Sequence, residues 1–168
     1  SSFLSLRFDD ATLRRSNLGG QGGRCVRFGL CDELQTAATP SDIYIRNVGV
    51  GVLGVPIDLR ITNESEYRAW RTVHNGIKRL EVGGVESASF GVVNLLGPRL
   101  PTQRPYDRYW NQLFTFVQLR LELIHGETGA PLTVSRTYMS FYDFDTGPQV
   151  AGTVPAMEML QMGPQARS

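Results

Sequence analysis

Lysine is all but missing from this chain of 168 residues: of its 17 basic residues sixteen are arginine, and Lys78 stands alone. Cysteine is limited to Cys25 and Cys31, and histidine to His74 and His125. The net charge is only +1, so no global field draws nucleic acid or an anionic membrane. No apolar run approaches the roughly 20 residues that span a bilayer. The longest candidate, Val48 to Ile57, is broken by Gly49, Gly51, Gly54 and Pro56. Two thiols with no histidine nearby in sequence do not complete a four-ligand zinc site. No serine or cysteine lies in a G-x-S-x-G context, and no cofactor fingerprint is present. The Asn17 to Gly23 loop is glycine-rich, yet it lacks the Lys-Ser/Thr and the following helix of a phosphate-binding loop. These absences point to a protein that is not an enzyme, with a hydrolase of unknown class kept as an alternative.

What is present suits a globular chain: 41% hydrophobic and 20% charged residues, long enough to bury a substantial core. The expectation is a single domain over 1–168, with its core in 15–150 and a tail at 151–168. The chain opens Ser-Ser without methionine, which suits a processed or trimmed polypeptide. Arginine is the residue of bidentate carboxylate pairs and interfaces, although codon bias in a GC-rich genome produces the same excess. Across extended backbone Cys25 and Cys31 would stand about 20 Å apart, beyond the roughly 7 Å that a disulfide bridges. A bond needs a turn, which Gly29 could supply. The disulfide and two free thiols both remain open.

Alternation with period two dominates. Phe3 to Phe8, Asp42 to Arg46, Ile57 to Thr62, Ser87 to Leu96 and Leu113 to Ile124 read as strands. In the last, Val117, Leu119, Leu121 and Leu123 form the expected core face, opposite Gln118, Arg120 and Glu122, with a bulge or bend near Thr115 to Val117. Asn75-Gly76 reads as a tight turn. Glu64 to Val73 reads as a short helix or an ordered loop. The pattern predicts an all-β fold, an antiparallel sandwich of jelly-roll type with long loops and at most one or two short helices.

Three local features invite chemistry. Asp143-x-Asp145 leaves a strand-like run with its carboxylates on one side. With Glu158 and backbone carbonyls it could offer calcium enough oxygens, or the two aspartates could cap turns. Any cofactor is therefore none or a structural calcium ion. Asn63-Glu-Ser65 matches the N-glycosylation sequon. The tail Met157 to Met162 and the Arg99 to Trp110 loop carry residue types enriched at interfaces.

In order, Asn47-Val-Gly49, Gly54-x-Pro56-Ile-Asp-Leu59, Ile61-Thr-Asn63, Asn75-Gly76, Phe90-Gly91, Asn94-Leu95 and Phe141-x-Asp143-x-Asp145 resemble β-sandwich modules of secreted and surface proteins of bacteria and of algae such as dinoflagellates and stramenopiles. Asn17-Leu-Gly-Gly20 also fits the leader of such modules. The resemblance spans roughly residues 15 to 150. It implies a binding or adhesion role outside the cell or at its surface, without naming a ligand; the reading favoured from the residues is a non-catalytic module that binds a protein or glycan partner through its surface. The alternative is a peripheral subunit of a larger algal assembly, such as a photosynthetic-membrane complex, in the lumen of a plastid or another organelle.

Overall fold

A computed structural model describes residues 4–23, 38–96, 115–134, 137–141 and 160–161. The chain divides into two compact units, 1–96 with 115–138, and 97–114 with 139–168. Almost all of the second lies outside the described residues.

The first unit is all-β, as the alternation predicts. Its strands are β1 (Thr12–Ser16), β2 (Asp42–Val50), β3 (Pro56–Asn63), β4 (Gly76–Val82), β5 (Val85–Val92) and β6 (Leu119–His125). They form a four-stranded antiparallel sheet in the order β1-β2-β3-β6 and a separate antiparallel ribbon, β4-β5. No α-helix occurs among the described residues; three short 3-10 turns, at Leu18–Gly20, Val52–Gly54 and Thr72–His74, are the only helical geometry.

The core follows from cross-strand register. Leu13 pairs with Ile45, Ile45 with Leu59, and Leu59 with Leu123, so one row of aliphatic side chains crosses all four strands. Ile43, Ile57 and Ile61 are buried beside it. Each such side chain contributes about 1.5–3 kcal/mol when fully removed from water. Leu4, Leu6, Phe8, Val117 and Leu119 pack against this cluster from its margins.

Several sequence expectations are corrected. Residues 5–8 form no ladder; only an isolated bridge joins Leu4 to Thr137, and the Arg7 N–H donates to the Val48 carbonyl at 2.6 Å. The alternate apolar side chains there still reach the core, so the pattern reports burial without pairing. The parity read for the last strand holds for Val117, Leu119 and Leu123. The ladder begins only at Leu119. Leu121 is 38% exposed, whereas Leu119 and Leu123 on either side of it pack against the core. Asn75-Gly76 is not a turn: Asn75 is extended and Gly76 opens β4. The reversal is Gly83-Gly84, with φ of 65° and 81°, the positive values that a two-residue hairpin loop demands. Of the two readings of residues 64 to 73, the ordered loop is the one observed.

Candidate functional site

One end of the four-stranded sheet gathers loops. β1 ends at Ser16, β2 begins at Asp42, β3 ends at Asn63 and β6 begins at Leu119. The segments 17–23, 38–41, 64–75 and 115–118 therefore meet there. The 64–75 segment has no ladder to hold it, so its backbone groups must find partners elsewhere.

Side chains supply them. Tyr67 is 3% exposed, with its ring in the core cluster. Its hydroxyl donates to the Asn94 carbonyl at 2.5 Å and accepts from Asn75 Nδ2 at 2.8 Å. Asn75 Oδ1 accepts the Asn94 N–H at 2.7 Å, and Asn94 Oδ1 accepts the Arg71 N–H at 2.8 Å. The Ser16 hydroxyl donates to the Asn75 carbonyl, tying the loop to β1. Gln21 grips the loop at two points: Nε2 donates to the Tyr67 carbonyl, and Oε1 accepts the Ala69 N–H. Burial pushes the Tyr67 hydroxyl above its ordinary pKa, with its hydrogen bond to Asn75 acting the other way.

On this support Trp70 stands 52% exposed. The Arg71 guanidinium lies 4.4 Å from its ring centroid, and the His74 ring stacks at 6.3 Å with 16° between planes. Two shallow depressions adjoin it. One runs along Ala69 to Val73, and the other is lined by Gly19, Gln21, Asn63, Glu66, Arg68 and Leu96, among others.

The face of the sheet opposite the core carries a second polar group. A register shift in β1 between Leu13 and Arg15 adds one residue there, which sets both Arg14 and Arg15 against the Tyr44 ring, at 5.2 and 4.8 Å. Arg15 grips both oxygens of buried Asp42, at 2.8 and 2.7 Å. Arg60 holds Glu122 across the β3-β6 pair. Arg15 thus makes the two-oxygen carboxylate pair for which arginine is suited, while Arg60 directs two N–H groups to one oxygen of Glu122. Buried Asp58 accepts the Tyr44 hydroxyl on one oxygen and the Asn47 N–H on the other, each at 3.0 Å. Burial, then the hydrogen bond and charge of Asp58, raise the Tyr44 pKa. These partners satisfy one another, so this layer is framework.

Asp143, Asp145, Glu158, Cys25 and Cys31 lie outside the described residues. Among the described residues no group of three or more His, Cys, Asp or Glu is placed to hold a metal ion. Asn63 of the sequon has its carboxamide committed at both ends: Oδ1 accepts the Gly19 N–H at 3.0 Å and Nδ2 donates to the Ser65 carbonyl at 2.9 Å. The glycine-rich loop spends its amides internally, Gly19 on Asn63, Gly20 on the Asn17 carbonyl and Gly22 on Asn17 Oδ1. His125 caps the turn after β6 by accepting from Glu127 and Thr128.

The asparagines that carry the sequence resemblance are thus anchors: Asn17, Asn63, Asn75 and Asn94 through their side chains, Asn47 through its backbone N–H. Sequence reasoning missed Trp70 with Arg71 as a surface feature. The segment Glu64 to Val73 read as a short helix or an ordered loop, and neither reading marked Trp70 as exposed. Two aromatic rings in an otherwise polar segment just before Asn-Gly were the available signal. No protein-family model, curated protein or solved structure matches the chain.

Proposed function

We propose that the chain is a non-catalytic binding module of sandwich type, taking a protein or glycan ligand at its loop end with Trp70 at the centre. One observation carries this reading: a half-exposed tryptophan on a loop held from beneath by buried side chains. A large ring left in water gives up burial that it could otherwise gain. A loop already fixed in place loses little further entropy on binding. Tryptophan and arginine are the residues that most often dominate binding energy. The extracellular setting implied by the sequence resemblance suits such a module, and calcium at Asp143 and Asp145 with Glu158 would add stability to it.

The test is a glycan array and a peptide array probed with the wild-type chain and with Trp70→Ala. Specific binding that falls at least roughly tenfold in Trp70→Ala, at an unchanged melting temperature, supports the reading. Binding that survives the substitution places the ligand elsewhere and overturns it.

A further inference from the structure

The pair Asn75-Gly76 is the dipeptide most prone to deamidation, because a residue without Cβ leaves its backbone nitrogen open to attack the preceding carboxamide. The fold nevertheless requires both residues. A Cβ on Gly76 would lie 2.6 Å from a Leu13 methyl, and its φ is +119°, a conformation that L side chains rarely adopt. Asn75 offers one acceptor and one donor to two different partners, the Asn94 N–H and the Tyr67 hydroxyl. Aspartate or leucine cannot supply that combination.

We propose that Asn75-Gly76 is a deamidation site that the folded loop protects, and that its modification irreversibly releases the loop bearing Trp70. In the open loop the Gly76 nitrogen attacks Asn75 Cγ. The N–Cγ bond forms, the Cγ–Nδ2 bond breaks, and ammonia leaves with the amide proton. Water then opens the cyclic imide. Hydrolysis at Cγ gives aspartate; hydrolysis at the backbone carbonyl gives isoaspartate. No oxidant or reductant is needed. In the closed loop Asn75 is 1% exposed, its carboxamide is held at both ends and its carbonyl accepts from Ser16. Gly76 is held in the β4-β5 ladder opposite Val92. Attack therefore waits for local opening.

After reaction the closed state does not return. Aspartate at this position has no donor for the Tyr67 hydroxyl and places a charge in a buried site. Isoaspartate adds a carbon to the backbone, which shifts β4 against β5. The proposal concerns the loop's integrity and stands whether or not Trp70 binds a ligand.

The experiment incubates the full chain at mildly alkaline pH and roughly physiological temperature, folded and in concentrated urea. Peptide mapping then quantifies the aspartate and isoaspartate formed from Asn75. The expected result is conversion at least about tenfold slower in the folded chain, since reaction requires an opening equilibrium. Tyr67→Phe, which removes the hydroxyl, should raise the folded rate severalfold. Asn94→Ala, which frees the Arg71 N–H but leaves both partners of Asn75 in place, serves if Tyr67→Phe does not fold. Equal rates in folded and unfolded chains, or no acceleration in whichever variant folds, overturn the proposal.

Discussion

The loop 64–75 and the β4-β5 ribbon follow one another in the chain and invert the usual association of regularity with order. The ribbon has an antiparallel ladder from Gly76 and Val92 to Val82 and Val85, with one register shift between Leu80 and Glu81. In β4 only the first residues, Gly76 and Ile77, are buried, and Val82 near the tip is 72% exposed. The loop has no ladder at all, yet Tyr67 and Asn75 are among the most deeply buried groups of the unit. Hydrogen bonds alone add little net stability, because water offers the same bonds to the unfolded chain. What makes those between Tyr67 and Asn75, and from Ser16 to Asn75, count is that they are buried, where an orphaned partner is costly. Much of the ribbon's ladder lies at the surface, where water can replace it.

Three perturbations sharpen that contrast. The broadest is alkaline. The Tyr67 and Tyr44 hydroxyls have folded-state pKa values raised above the unfolded value of 10.0. Their contribution to stability is therefore complete below that value and is lost as pH rises through the folded-state values. Ultraviolet titration, compared with Tyr44→Phe and Tyr67→Phe, should show these two hydroxyls ionising late, together with loss of the fold. Ionisation of both at the ordinary value, in a chain that stays folded, would contradict it.

Next in size is Asn75→Ala, which removes the partner of the part-buried Asn94 N–H. It should cost about 1–3 kcal/mol for that group, read as a fall in the urea midpoint; a change within about 0.5 kcal/mol would place the loop among ordinary surface segments. The smallest effect belongs to the ribbon. Val82→Thr keeps a branched residue in the exposed strand and should leave stability within about 0.5 kcal/mol. A larger loss in a urea melt would mean that the ribbon tip is packed, and the contrast with the loop would fail.

The sequence exposed the parts of the fold whose burial follows a simple period. Ile57, Leu59 and Ile61 alternate with polar neighbours, and the structure buries them. Val117, Leu119 and Leu123 were legible for the same reason. β4 was not, because beyond Ile77 its residues are exposed on both faces and no sustained alternation is needed there. The site was hidden for a different reason. Its support comes from Ser16, Gln21, Asn75 and Asn94, which lie far apart in the chain and meet only in the fold. Polar side chains carry no period from which such meetings can be read.

Asn47 leaves the most general consequence. It adopts φ of +57°, and the pairing of β2 with β3 slips between Ile45 and Gly49. Before it, Ile43 and Ile45 point inward; after it, Val48 does. Seen as a wave, the hydrophobic signal of β2 changes phase by half a cycle in mid-strand. A reader who follows one phase hears the strand end at Arg46, although the backbone continues to Val50. A single residue can thus halve the apparent length of a strand while leaving its physical length intact, and Asp58, which accepts the Asn47 N–H from the neighbouring strand, marks where the phase changes.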